Sequence, residues 1–322
     1  MRKRIGHYLL LLALIIVMNF FLPRLMPGSP VRTILGEEAG SLTAAEKMGI
    51  LEAYDLDKPL GQQFVLYLKN LFTLNWGNSY AKRQPILDLI GSRIGWTLLL
   101  AGSNLVISTA VGTLLGVHAA ARRRKGRGAA SLVASAAVTS VPPFWIAMIF
   151  LSVFGGRLGW FPLYGAYSMW SDYQGLAAVW DVLRHLFLPL LTMVLTSFLT
   201  FFTTARYGAL QVLSEDYIRM ARMRGIPEGR ISRAYVLRNT WIPVFTMVML
   251  DVGYLLSGSV LIETVFSYPG LGTLMQEAVQ ARDYPLIQYT FLVSSALTIA
   301  ALFAADLLHT RVDPRLEGTE VA

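Results

Sequence analysis

The sequence has no cysteine, and this absence excludes three kinds of chemistry. A chain of 322 residues without cysteine forms no disulfide, no thiolate metal site and no cysteine nucleophile. Charge is also scarce, because 15% of the residues are charged, whereas soluble domains usually carry about 25%. Hydrophobic residues make up 54% of the chain. This balance indicates a protein that lies in a membrane.

Sequence signatures of enzymes are absent as well. No Gly-x-x-x-x-Gly-Lys-[Ser/Thr] loop occurs, so the chain has no phosphate-binding loop for a nucleotide. There is no His-Glu-x-x-His motif, no Gly-x-Ser-x-Gly elbow and no pair of mid-membrane aspartates. The four histidines are not paired at the spacing of metal ligands. We expect a non-enzyme that binds no cofactor or metal, and an intramembrane enzyme is the alternative from another class.

Six apolar stretches are long enough to cross a bilayer as helices, which requires roughly 20 mostly apolar residues. Alternating strand patterns are not seen, so we expect helices and not a barrel. The third stretch contains Pro142-Pro143 and the fourth Pro189, which membrane helices tolerate. No cleavage site follows the first stretch, so we expect an uncleaved helix there. The stretches lie at about 8–27, 95–118, 130–155, 183–205, 241–262 and 286–308.

The positions of lysine and arginine predict the orientation of the chain. With the N-terminus inside, the inner segments are residues 1–4, 121–128 and 206–240 and the tail after residue 308, and they carry seventeen basic residues. The long outer segment, 28–94, has seven basic and seven acidic residues. The positive-inside rule therefore predicts that both termini are cytoplasmic. The run "ARRRKGRG" at 121–128 is then a topology anchor, and we expect no nucleic-acid partner.

Residues 206–240 are too polar to cross the membrane, yet their pattern is that of two short helices. The acidic pair Glu215-Asp216 stands at the start of the first, where carboxylates favour a helix N-terminus. Gly225 is placed as the glycine that ends this helix, and Pro227 as a first-turn proline of the second. We expect the second helix to end at Asn239. Two such helices on the inner membrane surface are suited to docking a cytoplasmic partner.

The stretch "DYIRMARMRGIPEGRISRAYVLRNTWIP" (216–243) resembles the coupling loop of membrane subunits of ATP-binding-cassette importers. In that loop an alanine precedes a glycine by four residues, as Ala221 and Gly225 do here. The general pattern has Glu-Ala where Arg219-Met220 stands and a proline where Arg238 stands. The form found here is similar to the peptide/nickel branch of the family, although a proline replaces the serine that is common after the glycine.

Further blocks along nearly the whole chain resemble the same branch. They are "MPGSP" (26–30), "DLDKPLGQQFVLYLKNLFTLNWGNSY" (55–80), "RHLFLPLLT" (184–192), "ETVFSYPGLGTLMQEAVQARDYPLIQ" (263–288) and "ADLLHTRVDPRL" (305–316). The resemblance implies an all-α membrane protein with six transmembrane helices and the type I importer permease fold, located in a bacterial plasma (inner) membrane. We divide it into an N-terminal helix with its outer loop region, 1–94, and a core transmembrane domain, 95–322, which contains the coupling loop 206–240.

The resemblance also implies the cargo and the partners. The cargo would be di- or oligopeptides, and the alternative is nickel or a metal–metallophore complex. The partners would be a second homologous permease subunit, two cytoplasmic ATPases that bind ATP and Mg, and an extracytoplasmic solute-binding protein. The arginines of the coupling loop would pair with acidic groups of an ATPase or with anionic lipid. The residues implied in ATPase coupling are Tyr217, Ala221, Arg222, Gly225, Ile226 and Glu228.

Polar residues within the predicted spans are candidates for the substrate pathway. Asp251 lies near the middle of the fifth span, where a charge costs roughly 2.5–3.5 kcal/mol. It would attract an amino terminus or a cationic chelate, or else make an interhelical hydrogen bond. Asn104 is the second candidate, with the same structural alternative. Gly112 and Gly116 allow close helix packing, either within the chain's own bundle or against a neighbour.

Overall fold

The computed structural model describes residues 2–25, 43, 48, 57–121, 141–252 and 255–312. The secondary structure of these residues is helical, and an isolated bridge joins Asn78 to Pro85. The segment 26–30, most of the anchor 121–128 and the end of the tail, from 313, lie outside the described residues.

The described part of the chain is a succession of helices of very different lengths. The helices are α1 (Arg2–Leu25), α2 (Leu60–Phe72), α3 (Ile86–Ala121), α4 (Pro143–Phe150), α5 (Leu176–Ser214), α6 (Asp216–Met223), α7 (Glu228–Arg230), α8 (Arg238–Val252), α9 (Leu255–Val265), α10 (Leu271–Gln280) and α11 (Tyr284–Val312). Wider π-helical turns extend α4 through Leu151–Arg157 and join α7 to α8 through Ile231–Leu237.

Among the described residues, three helices are long and apolar enough to cross a membrane. They are α3, α5 and α11 as far as Leu308, and they contain the second, fourth and sixth predicted spans. Shorter apolar helical stretches occupy Ile5–Phe21 and Pro143–Arg157, within the first and third. The fifth span falls on α8 and α9. The all-helical membrane class is thereby confirmed, whereas the count of six crossings stays a prediction.

Proline positions differ from the prediction in the third span. Pro189 lies inside α5 as expected. The pair Pro142-Pro143 does not lie inside a helix, because α4 begins at Pro143 and Pro142 is its N-cap residue, with φ −57° and ψ 137°. A proline disfavours helical torsions in the residue before it, so the pair starts a helix. The residues of this span before 141 lie outside the described part.

The chain packs as two compact units, the first made of Met1–Trp96 and Pro269–Ile299 and the second of Thr97–Tyr268 and Ala300–Ala322. The first unit has an apolar core to which Phe20 of α1, Tyr67 of α2 and Leu286 of α11 contribute. Within it the side-chain amide of Asn19 donates to the Gln288 carbonyl oxygen, at 2.7 Å, and to the Tyr67 hydroxyl, at 3.2 Å. These bonds fix α1 and α2 against α11.

Asp283 is the central polar residue of the first unit, and it is fully buried between α10 and α11. One carboxylate oxygen accepts the Leu286 N–H at 3.2 Å and so caps α11. The other accepts the Ser79 hydroxyl at 2.5 Å and the Ala81 N–H at 3.0 Å. These three donors satisfy the buried carboxylate with hydrogen bonds. The loop after α2 is therefore held to the start of α11.

The second unit depends on close packing of α3 against α5. A Cβ atom at Gly112 would lie 2.5 Å from the Phe198 carbonyl oxygen, and one at Gly116 would lie 2.5 Å from that of Phe202. Real Cβ atoms do not approach a backbone so closely, so glycine is required at both positions. This confirms the alternative in which the two glycines pack within the chain's own bundle.

Candidate functional site

The basic segment forms two helical parts, which we call the coupling hairpin (residues 215–237). Glu215 is the single non-helical residue between α5 and α6, with φ −71° and ψ 147°. Asp216 is the first residue of α6. The predicted start at this acidic pair is confirmed, and the Glu215 side chain makes no capping hydrogen bond. The carboxylates therefore act on the helix N-terminus through charge alone.

The turn of the coupling hairpin requires glycine for its backbone conformation. Gly225 has φ +73°, in the left-handed region. Its N–H donates to the Arg222 carbonyl at 3.0 Å, and the Ile226 N–H donates to the Ala221 carbonyl at 3.2 Å. These two bonds form the Schellman motif that closes a helix C-terminus. The predicted helix-ending glycine is confirmed. A Cβ here would meet no atom within 4 Å, so the requirement is one of torsion and not of space.

Two boundaries of the second helical part differ from the prediction. Pro227 is the N-cap residue of α7, one position before the first turn, and its carbonyl accepts the Arg230 N–H at 2.9 Å. The predicted end at Asn239 is wrong, because the π-helical turns run directly into α8. The Asn239 side-chain amide donates to the Tyr235 carbonyl at 2.7 Å, one turn earlier. With its amide satisfied in this way, asparagine stays within the helix.

The inner face of the coupling hairpin is part of the core of the second unit. Ile218 of α6 and Ile231 of the π-helical turns are fully buried. They pack in one apolar cluster with Val117 of α3, Phe201 of α5 and Val244 of α8. Burying an isoleucine side chain contributes about 1.5–3 kcal/mol. A force on the coupling hairpin is therefore transmitted to these three helices.

The outer face carries exposed apolar side chains among the arginines. Tyr217, Met220 and Met223 recur at every third residue of α6 and are 38%, 50% and 75% exposed. The sequence prediction included Tyr217 but missed the two methionines, although the three-residue spacing was visible. Exposed methionine and tyrosine side chains adapt well to an apolar groove on a partner.

Arg222 and Glu228 bind each other across the turn. Arg222 Nε lies 2.7 Å from one Glu228 oxygen, and Nη2 lies 3.4 Å from the other. Both side chains remain largely exposed. The sequence analysis placed Arg222 and Glu228 on the surface that contacts an ATPase. In this structure they bind each other and stabilise the turn. Ile226, between them, is partly buried against the apolar cluster.

The two pathway candidates have different environments. Asn104 is buried, and its amide donates to the Ser197 hydroxyl at 3.3 Å, which joins α3 to α5. Asp251 is partly buried on α8. Its carboxylate has no hydrogen-bond or ion-pair partner among the residues that the structure describes. In the same part of the chain, no group of three or more His, Cys, Asp or Glu side chains is arranged to hold a metal ion.

Comparison with known proteins identifies the family. Residues 112–318 match the family described as binding-protein-dependent transport system inner membrane component. The glutathione transport system permease protein GsiC of Escherichia coli (strain K12) is 34% identical over 316 residues, which cover 98% of this chain and 97% of that protein. The protein of the same name from Shigella dysenteriae serotype 1 (strain Sd197) has the same values. The di/tripeptide transport system permease protein DppB of Pseudomonas aeruginosa (strain UCBPP-PA14) is 34% identical over 316 residues, covering 93% of each chain. The family resemblance is thereby confirmed, and the chain belongs to the inner membrane components of binding-protein-dependent transport systems.

Proposed function

We propose that this inner-membrane permease subunit imports small peptides in an ATP-driven importer. Membership of the family supports the transport role. The names of two full-length relatives, for glutathione and for di- and tripeptides, support small peptides as the cargo. Nickel or a metal–metallophore complex is the second candidate, because the coupling loop is similar to that of a branch with both kinds of cargo.

The coupling hairpin is the observation that supports ATP coupling. Its turn is preformed at Gly225, its inner face is buried among α3, α5 and α8, and its outer face presents Met220 and Met223. An amphipathic helix of this kind binds by placing its exposed apolar side chains in a groove of a partner. The partner is a cytoplasmic ATPase, one of two that bind ATP and Mg, beside a second permease subunit. ATP shifts the permease between states only through contacts that differ between them.

The topology completes this proposal. Six crossings in the type I importer arrangement, with both termini cytoplasmic, place the coupling hairpin on the ATPase side. Residues 1–94 then form the N-terminal helix and outer region, and residues 95–322 form the transporting core. The outer surface receives peptide from an extracytoplasmic solute-binding protein.

Asp251 is the residue that we propose for cargo recognition in the membrane. A carboxylate at mid-depth is costly, and no partner on the described part of the chain offsets this cost. The α-ammonium group of a peptide is a suitable partner. Asn104 is the weaker candidate, since its amide already bonds to Ser197 between two helices.

Uptake of a peptide with a free amino terminus, compared with its N-acetylated form, tests the role of Asp251. Asp251→Asn should reduce import of the free form more than import of the acetylated form. Asp306→Asn, which removes a carboxylate from α11, is the matched control and should affect both forms equally. Equal effects of Asp251→Asn on both forms would mean that this residue has a structural role only.

The cargo itself can be identified directly. The solute-binding protein would be purified together with the importer, and its ligand would be analysed by mass spectrometry and elemental analysis. A bound di- or oligopeptide supports the proposal. Bound nickel or a chelate would replace it with the second candidate.

A further inference from the structure

Arg206 is a buried cation that the transport mechanism does not use. It lies on α5, where this helix packs closely against α3. A Cβ atom at Gly116 of α3 would be 3.0 Å from the Arg206 backbone nitrogen. The residue is 9% exposed. Its neighbours Ala205 and Ala209 belong to the apolar cluster beneath the coupling hairpin. The guanidinium is thus held in a mostly apolar environment.

The charge of Arg206 is not compensated within the part of the chain that the structure describes. Its Nε atom is enclosed and has no hydrogen-bond acceptor among the described residues. The contact that the guanidinium makes is with the ring of Tyr207, whose centroid is 5.9 Å away. Arginine does not lose its proton in proteins, so burial cannot neutralise it. Within the described residues this charge therefore has no counter-ion, and an anion that binds here would compensate it.

The position of Arg206 indicates which anion this is. Arg206 directly follows the predicted fourth span, 183–205. It therefore lies at the level of the lipid headgroups on the inner side of the membrane. Tyr207 is 59% exposed, and tyrosine rings favour this level of a bilayer. The surrounding segment, 206–240, has seven arginines and three acidic residues, which attracts anionic lipid. The guanidinium fork matches the oxygens of a phosphate group.

We propose that Arg206 binds the phosphate of an anionic phospholipid in the inner leaflet. The lipid headgroup lies at the edge of the contact between α3 and α5, beneath the coupling hairpin, so that lipid composition affects the stability of the hairpin. This proposal rests on the inward orientation of residues 206–240 proposed above.

Retention of phosphatidylglycerol by the purified importer tests the proposal. Native mass spectrometry of the whole complex would count the bound lipids, and thermal unfolding would be followed in nanodiscs with and without phosphatidylglycerol. We expect Arg206→Gln to lose one tightly bound phosphatidylglycerol per permease copy and to lose the thermal stabilisation by this lipid. Arg206→Lys, which keeps the charge but not the fork, should retain part of both. Arg157→Gln, which removes an exposed arginine outside the coupling loop, is the control and should behave like the unaltered protein.

Three outcomes would overturn the proposal. One is equal lipid retention by Arg206→Gln and the unaltered protein. Another is a loss of stability in Arg206→Gln that is the same with and without the lipid, which would assign the acceptor to a partner subunit. The third is full stabilisation by inorganic phosphate in nanodiscs of neutral lipid, which would identify a free phosphate as the ligand.

The orientation is tested separately, because the chain has no cysteine of its own. Ala234→Cys places a single exposed thiol on the hairpin. Labelling from the cytoplasmic side alone confirms the premise, and labelling from outside would overturn both this proposal and the proposed function. A failure of the lipid experiment with correct labelling would overturn the lipid site alone.

Discussion

Replacement of Gly225 measures how far transport depends on one backbone torsion. At φ +73°, a residue with a Cβ atom is strained by about 1–2 kcal/mol. No atom lies within 4 Å of the Cβ position, so no steric clash adds to this cost. A loss of about 1–2 kcal/mol lowers the ratio of closed to open turn about 5- to 30-fold. Gly225→Val should therefore abolish most peptide uptake, and Gly225→Asn should retain more, because asparagine tolerates this conformation.

The assay is peptide uptake together with peptide-stimulated ATP hydrolysis, at matched levels of permease in the membrane. Gly229 provides the control, because it is equally exposed and its Cβ position is equally free, but its φ is not in the left-handed region. Alanine is more stable than glycine in a helix by about 0.5–1 kcal/mol, so Gly229→Ala should transport normally. Normal uptake by Gly225→Val, or an equal loss in Gly229→Ala, would refute the reasoning.

Two further predictions concern packing and the ion pair of the turn. Gly112→Ala should lower the melting temperature of the purified permease by an amount equivalent to about 1–3 kcal/mol, because its Cβ would contact backbone. Gly102→Ala on the same helix, where nothing lies within 4 Å, should leave the melting temperature unchanged, and equal shifts would contradict the packing argument. Arg222→Gln and Glu228→Gln should each cost no more than about 1 kcal/mol, since the pair is exposed. Hydrogen exchange at the turn should be no faster in the double variant than in either single variant, and additive effects would mean that the two side chains act separately.

Features set by local chemistry could be predicted from the sequence. Long apolar runs predicted α3, α5 and α11, because length and hydropathy alone determine whether a helix can cross a bilayer. The turn at Gly225 was predictable because few other residues adopt a left-handed torsion at a helix end. The acidic pair at the start of α6 was predictable for a similar reason, since it lies beside the N–H groups that it stabilises.

Features set by packing could not be predicted in the same way. Helix propensity favours a helix end at Asn239, yet the hydrogen bond from its side-chain amide to the Tyr235 carbonyl keeps it within the helix. Arg222 and Glu228 are six residues apart, and their pairing depends on the angle between two helical parts. The spacing of Met220 and Met223 is visible in the sequence, but which face of α6 is exposed depends on the packing of Ala221 against the bundle. The orphaned Nε atom of Arg206 follows from the contact of α3 with α5.

The two ends of the coupling hairpin are attached to the bundle in unequal ways. At Glu215 one extended residue separates it from α5, whereas at Arg238 it continues into α8 without a break. Motion of the hairpin would pass along the continuous backbone into α8, which carries Asp251 about 20 Å further on, whereas it reaches α5 through the side chains of the shared apolar cluster. Gly208 of α5 lies against the Pro243 ring of α8, and its Cβ position is 3.1 Å from Cγ, so glycine allows the two helices to lie close together here.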